Sequence, residues 1–384
     1  MSELVTVWAT IASGFTAAAL YRLWRARRSE ASSRNRRRPH VLLIRPVDSP
    51  TSRELENLAA PIDYPGTLTH VVVSPFRPRL ASANVRWLAS DPLSRNRKVG
   101  HLAYALSTLQ AERSGPRDDE PAIDERPDAM IAANDQVVLC VDADVCVDAA
   151  LIGALVDELR DGAALSSAAP RPTVSRSVGG RVVRGLLVQS HHAFEVIDVM
   201  STGARAICGK AIALSDVAAA ELVKLKDCIG EDLELSHVLH EKGLPVTLAK
   251  ATANVPQADH VALAPVFERF TRWMQVLRAH RPALFPSVPL LFAPTPMLMV
   301  LAAIAATPQA AVALSVLVGL RITLANRQDD RGGLRFEWLL AELMLLACWL
   351  NALKQGNTVQ WRGRRFSLKA GGRMEALIAP GEAG

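Results

Sequence analysis

The chain has 384 residues, of which 49% are hydrophobic and 21% charged, and a formal net charge of +6; that length allows two or three domains. Aromatic residues make up 5% and no RNA- or DNA-binding motif occurs, which argues against a nucleic-acid partner; the arginines cluster beside apolar segments, as suits an anionic membrane surface. The five cysteines (Cys140, Cys146, Cys208, Cys228, Cys348) show no CxxC and no paired spacing, so they read as buried thiols in a reducing compartment rather than a disulfide frame or zinc site.

Leu4 to Tyr21 carries no charge and is just long enough to span a bilayer, with Trp8 and Trp24 near its ends. Arg22, Arg25, Arg27 and Arg28 follow at once. A cleavable signal peptide has its basic residues before the apolar run. The reversed order here predicts an anchor with its N-terminus outside and the rest of the chain in the cytoplasm. His40–Pro46 reads as the first strand, Arg53–Leu58 as a helix and Leu68–Ser74 as a second strand stopped by Pro75. Helical spacing starts at Val99 and continues through Leu102, Ala103 and Leu106, while 112–136 is rich in Pro, Asp and Glu and reads as an exposed loop.

The stretch Val137–Asp148, VVLCVDADVCVD, is the focus of the chain. Its apolar run predicts a strand buried on both faces, ending in Asp142-Ala143-Asp144. In open α/β sheets, ligands bind at the carboxyl ends of strands, and two carboxylates there suit a hard divalent cation that neutralises a phosphate-bearing substrate. A helix over Ala149–Arg160 and a small-residue strand over Ala163–Ala169 follow. This alternation of strand and helix predicts an α/β domain of the nucleotide-binding kind. At Cys208-Gly209 the glycine would let backbone approach a ligand closely. Ile229-Gly230-Glu231-Asp232 introduces a helix over Leu233–Lys242 that Gly243 ends. Asp232 reads either as a helix cap or as a fixed carboxylate able to act as a base.

Phe267–Leu277 places Phe267, Phe270, Met274 and Leu277 on one face, with Arg269, Arg272 and Trp273 alongside, a composition that belongs at a membrane interface. Residues 282–320 carry no charge but are broken up by Pro286, Pro289, Pro294, Pro296 and Pro308. They predict spans near Val288–Ala306 and Gln309–Ala325. Phe336–Leu353 is a third apolar helix, containing Glu337 and Glu342. Three full spans would put the basic tail Trp361–Arg373 outside, against the positive-inside rule. Phe336–Leu353 is therefore expected to lie in the interface or to line a cavity.

The ordered set Arg45-Pro46, Asp63-Tyr64-Pro65, Asn96-x-Lys98-Val99-x-x-Leu102, Asp142-x-Asp144, Glu231-Asp232, Arg269-x-x-Arg272-Trp273 and Gln360-Trp361-Arg362-Gly363-Arg364-Arg365-Phe366 resembles the ceramide glucosyltransferase family, with hopanoid-associated glycosyltransferases as close relatives. The resemblance implies a GT-A fold, the Rossmann-like α/β domain of nucleotide-diphospho-sugar transferases, joined to transmembrane helices. It divides the chain into an N-terminal anchor and basic linker (1–37), a catalytic domain (38–260), and an interfacial helix with C-terminal membrane helices and tail (261–384). It further implies an inverting, metal-dependent transfer of a sugar, glucose from UDP-glucose first, to the hydroxyl of a membrane lipid such as ceramide. Asp142 and Asp144 would hold Mn²⁺ or Mg²⁺ and the donor diphosphate, with Lys98 on the nucleotide. Asp232 would be the general base. Arg269, Arg272, Trp273, Glu231 and His191 or His192 would serve the acceptor and diphosphate side.

One position departs from the family pattern. An aspartate expected after the second strand, on the nucleotide-base side, is replaced by Ser74-Pro75-Phe76. Two other readings share part of this evidence. One is transfer of N-acetylglucosamine or another hexose to a hopanoid or other lipid. The other is a catalytically silent protein that binds anionic lipid, which would need none of Asp142, Asp144 and Asp232. The enzyme is expected in a bacterial inner membrane with its catalytic domain in the cytoplasm.

Overall fold

The computed structural model describes residues 1–28, 38–80, 84–114, 136–173, 175–200, 204–205, 207–327, 337–361 and 363–377. The chain forms two compact units, Ser33–Ala169 with Ile207–Pro256, and Met1–Ser32 with Pro170–Ala206 and Gln257–Gly384. Residues 170–206 thus group with the chain termini, so the units are not linear segments of the sequence.

The first unit is built on a seven-stranded sheet of order β3-β2-β1-β4-β6-β5-β7. β1 (His40–Pro46), β2 (Leu68–Ser74), β3 (Val85–Ala89) and β4 (Gln136–Val141) run parallel. β6 (Ala211–Leu214) runs antiparallel between β4 and β5 (Leu165–Pro172), and β7 (Val246–Val255) lies at the edge. Alternate residues of a strand face opposite sides of a sheet. Leu42 and Ile44 accordingly pack with Val99, Leu102, Leu235 and Leu239 from the helices Arg97–Ser114 and Glu231–Glu241. Val41 and Leu43 pack with Leu151, Ile152 and Leu155 from the helix Ala149–Arg160. Both faces are covered, which explains the unbroken apolar runs of β1 and β4.

The sequence expectations for β1, β2, β4 and these helices hold to within a few residues, except that the helical spacing read from Val99 to Leu106 belongs to a helix that runs on to Ser114, into the stretch 112–136 read as a loop, of which 115–135 lie outside the described residues. β3 was not anticipated. It is a short edge strand whose Arg86 is exposed and donates to Glu112 at 2.8 Å, so a charge interrupts the apolar pattern that would have marked it. The helix Ser52–Ala59 carries a capping box, with Thr51 Oγ1 accepting from Glu54 N and the Glu54 carboxylate accepting from Thr51 N.

In the second unit, the helices Ser2–Trp24 and Pro308–Asn326 are long and apolar enough to cross a membrane. The segments Pro282–Phe292 and Thr295–Ala305 are long and apolar enough only together, and they meet at a bend of 55°. This bent pair follows the N-terminal helix from one end to the other. Phe292 meets Phe15 at 5.4 Å between ring centroids, and Leu298 packs with Val5, Ala9 and Ala12. Thr307 Oγ1 reaches Ser2 Oγ at 2.7 Å. The helix Pro308–Arg327 then returns beside the N-terminal helix, with Ala310 and Leu317 in the cluster of Val5 to Ala12 and Leu324 in that of Phe15, Ala19 and Leu23.

At the bend, Glu342 and Arg321 form an ion pair at 3.3 Å, each 1% exposed. Glu342 accepts from Thr295 N at 3.0 Å, and Arg321 donates to Leu291 O at 2.5 Å. Backbone groups opened by a helix break need internal partners in an apolar setting, and this pair supplies two of them. The helix Glu337–Gln355 is long enough to cross a membrane but not apolar enough. It lies alongside the amphipathic helix Leu263–His280, with Asn351 Nδ2 donating to Thr271 Oγ1 at 3.3 Å and Gln275 Nε2 to Gln355 Oε1 at 3.1 Å. The basic tail folds into an antiparallel sheet of β8 (Thr358–Trp361), β9 (Arg364–Leu368) and β10 (Met374–Ala376), where Thr358 O accepts from Gln275 Nε2 at 2.6 Å.

Candidate active site at the carboxyl edge of the sheet

β4 ends at Val141 and delivers Asp142 to the carboxyl edge, where Asp142 N donates to Lys210 O at 2.8 Å. The turn that follows is held from beneath by Arg45, which comes from β1 and is fully buried. Its Nη2 donates to the carbonyls of Asp142 (3.1 Å), Ala143 (3.1 Å) and Val145 (2.6 Å), and its Nη1 to Asn57 O at 2.8 Å. Burial lowers the Arg45 pKa to about 10, with Asp144, Cys146 and Asp142 opposing, so it remains charged at neutral pH. The two carboxylates are thus presented by a backbone that a single guanidinium organises.

Two lysines meet these carboxylates. Lys98, in the first turn of the helix Arg97–Ser114, reaches Asp142 Oδ1 at 2.8 Å, Glu231 Oε1 at 3.3 Å and Gly209 O at 2.7 Å. Lys210 reaches Asp144 Oδ1 and Oδ2 at 2.8 and 2.6 Å and Asp142 Oδ2 at 3.5 Å. Burial raises the Asp142 pKa, but Lys98 and Lys210 outweigh it and hold the carboxyl below the usual range. Burial likewise opposes the charge on Lys98, and Asp142 and Glu231 more than offset it. Asn96 ties the helix start to the same cluster, donating to Glu231 Oε2 at 2.9 Å and Cys228 O at 2.8 Å while accepting from Val99 N at 3.3 Å.

Asp232 lies in the first turn of the helix Glu231–Glu241, whose N-cap is Gly230 at φ +72°. It is not the cap itself. Its Oδ1 accepts from Leu233 N at 2.9 Å and its Oδ2 from Gly209 N at 2.7 Å. Gly209 is confined, since a Cβ there would lie 3.2 Å from Asp232 Cβ and 3.3 Å from Lys98 Nζ. Burial first, then the Glu231 charge, push the Asp232 pKa up against Lys98 and the two N–H donors. Asp142 and Asp232 are therefore driven in opposite directions, the pattern that separates a permanently charged carboxylate from one able to exchange a proton.

The structure brings together Lys98, Asp142, Asp144, Glu231 and Asp232, and adds Lys210, Asn96 and Arg45, to which the sequence reading gave no role at the site. Lys210 could have been found from the β4–β6 pairing, which sets it opposite Asp142, but the short β6 gave no strand signal of its own. At the position of the absent family aspartate, Ser74 Oγ accepts from Trp87 Nε1 at 3.0 Å and donates to Phe76 O at 2.7 Å. The carboxylates at this part of the edge are Asp48 and Asp91, bridged by Arg97 at 2.8 and 2.6 Å, with His101 Nε2 also 2.8 Å from Asp48.

Arg269, Arg272 and Trp273 belong to the other unit, on the helix Leu263–His280. Trp273 packs edge-on against Phe270 at 5.0 Å between ring centroids, and burial, then Arg269, lower the Arg272 pKa. His191 and His192 lie on the helix Val178–Met200, but their side chains fall outside the described residues. Among the described residues no three His, Cys, Asp or Glu side chains converge as a metal site.

Two solved structures are similar to the chain at low identity. A mannosyltransferase, PcManGT from Pyrobaculum calidifontis in complex with GDP-Man and Mn²⁺, is 17% identical, with 92% of this chain and 99% of that chain covered and a TM-score of 0.46. A mycobacterial protein is 16% identical, with 67% of this chain and 76% of that chain covered and a TM-score of 0.35. No curated protein sequence matches the chain. The sequence profile of glycosyl transferase family 21 matches residues 126–374, well over half of the chain and including Asp142, Asp144, Glu231, Asp232 and the Arg269–Trp273 motif. The α/β sheet with its acidic carboxyl edge is the GT-A arrangement expected of such an enzyme, and the chain belongs to glycosyl transferase family 21.

Proposed function

We propose that the protein is an inverting glycosyltransferase that moves a hexose from a nucleotide sugar to the hydroxyl of a membrane lipid, ceramide first among acceptors and UDP-glucose first among donors. The observation that carries the reading is geometric: Asp142 and Asp144, paired with Lys98 and Lys210, share the carboxyl edge of the sheet with Asp232, whose carboxylate is fixed by Gly209 N and Leu233 N. Asp232 takes the proton from the acceptor hydroxyl as that oxygen attacks the anomeric carbon from the face opposite the diphosphate. One direct displacement inverts the centre. The backbone N–H groups of Gly209 and Leu233 fix the carboxylate's direction during the transfer. For Arg269, Arg272 and Trp273 the acceptor-side role rests on the family motif.

The donor set fits a divalent ion. Asp142 and Asp144 are hard oxygen ligands, 28% and 36% exposed at the side chain. Mg²⁺-type sites commonly use one or two carboxylates together with substrate phosphates. Asp142 and Asp144 would hold Mn²⁺ or Mg²⁺, which when bound supplies positive charge to the departing diphosphate. Excess EDTA is expected to lower turnover by at least about a hundredfold, with Mn²⁺ or Mg²⁺ restoring it, on the several kcal/mol such an ion contributes. Full activity in chelator would remove the metal from the mechanism. Expression in a host rich in sphingolipid or hopanoid, with mass spectrometry of the lipid extract, reads sugar and acceptor together. A new hexosyl-ceramide supports the leading reading, and an N-acetylhexosamine on a hopanoid supports the alternative. No new glycolipid in either host would count against both.

The membrane reading is supported by the parallel course of Ser2–Trp24 and Pro308–Asn326. Exposed apolar residues on these helices and on the bent pair (Leu4, Val7, Ile11, Val300, Ile304, Val312) would face lipid. With the N-terminus outside, the bent pair crosses outward and Pro308–Arg327 returns. The helix Glu337–Gln355 then lies at the cytoplasmic interface and the basic tail is cytoplasmic, as the positive-inside rule requires. A green fluorescent protein fused after Gly384 is expected to fluoresce in a bacterial host, and one fused after Thr307 to stay dark. The reverse pattern would overturn this topology.

A further inference from the structure

Lys210 differs from Lys98 in one respect. Lys98 has a carbonyl and a third carboxylate as partners besides Asp142. Among the described residues every partner of the Lys210 ammonium is an oxygen of Asp142 or Asp144, with both Asp144 oxygens at 2.6–2.8 Å. The backbone fixes this arrangement, because Lys210 O accepts from Asp142 N across the β4–β6 pair and so sets the lysine directly opposite the acidic turn. Lys210 is only 17% exposed at its side chain and has no other described anion to turn to.

We infer that Lys210 is a built-in counter-cation of the Asp142–Asp144 pair, competing with a divalent ion for Asp144 and, once displaced, offering its ammonium to a diphosphate oxygen of the donor. This rests on the proposed function and deepens it, since it makes occupancy of the carboxylate pair depend on what else is bound. Without Lys210 only Lys98 remains, on Asp142, and Asp144 is left without a lysine partner, so the pair holds a cation more tightly. With Lys210 in place, metal and diphosphate assist each other, because the ion releases the ammonium that the diphosphate uses. Such coupling is reciprocal in binding free energy.

The test uses the full chain in detergent and reads binding rather than turnover. Free Mn²⁺ is measured by electron paramagnetic resonance during titration with Mn²⁺ alone. Inorganic diphosphate binding to the Mn²⁺-saturated protein is measured by calorimetry. Lys210→Met is expected to tighten Mn²⁺ binding about fivefold, the upper end for one well-placed ion pair near a surface, and to weaken diphosphate binding to the Mn²⁺-saturated protein by a similar factor. Lys210→Arg, which keeps the charge, should stay within about twofold of wild type for Mn²⁺ on the same scale. Should Lys210→Met fail to fold, Lys210→Gln carries the same expectation. Mn²⁺ affinity unchanged or weaker in the folded neutral variant overturns the competition, and unchanged diphosphate binding overturns the second half. Wild-type protein that binds neither Mn²⁺ nor diphosphate would instead count against the proposed function itself.

Discussion

Asp232→Asn should lower kcat/KM for sugar transfer by about a thousandfold, the middle of the range for loss of a positioned general base, while binding of the nucleoside diphosphate stays within a few fold. The split follows from where the groups sit. Asp142, Asp144, Lys98 and Lys210 are untouched by the change, and Asp232 makes its two hydrogen bonds to Leu233 N and Gly209 N rather than to the acidic pair. An asparagine keeps one acceptor oxygen and sets an N–H₂ group against the other donor, so one of those bonds is lost. A loss confined to kcat identifies an interaction made in the transition state. The wild-type pH profile provides a second reading. Burial and Glu231 raise the Asp232 pKa, and the base must be ionised to act. Activity should therefore fall as pH drops through a value above the ordinary aspartate range of about 4. A variant within tenfold of wild type, showing the same acid limb, would take the base role away from Asp232.

The sequence made the donor half of this site readable because its chemistry is local. Asp142 and Asp144 stand one residue apart at the end of an apolar run, and their place at a sheet edge follows from that run alone. Asp232 was visible as a carboxylate at a helix start, yet its partner Gly209 was not, since the two are 23 residues apart and meet only when β6 has paired with β4. Lys210 was hidden for the same reason, as was the edge strand β3, whose pairing with β2 outweighs the charge at Arg86. In the second unit, composition was enough to mark apolar helices and to single out Glu342 as an acid in an apolar helix. It did not disclose that Arg321 partners Glu342 across the bend, because ion pairs between helices leave no periodic trace in either. The missing aspartate at Ser74 remains a departure, and the side-chain bonds of Ser74 to Trp87 and Phe76 show a hydroxyl engaged locally.

Arg45→Met should have the largest effect on stability of any single change near the site, about 3–5 kcal/mol, the scale for breaking a buried charged network by removing one partner. The side chain is fully buried and its guanidinium serves four carbonyls, those of Asn57, Asp142, Ala143 and Val145. Methionine fills comparable space but donates to none of them, and buried acceptors left without partners carry their whole desolvation cost. Lysine does little better, because a point charge with three donors does not reproduce the planar fork that reaches carbonyls on two separate segments. The thermal midpoint of the purified protein should fall by roughly 10 °C on that energy. Mn²⁺ affinity should fall with it, by at least about tenfold on the same energy scale, although both Asp142 and Asp144 are still present. That second readout separates a general loss of packing from loss of the carbonyl scaffold beneath the acidic turn. A variant that melts lower yet binds Mn²⁺ like wild type would mean that the turn holds its shape without Arg45. A variant that melts at the wild-type temperature would mean that the buried guanidinium was offset by its own desolvation.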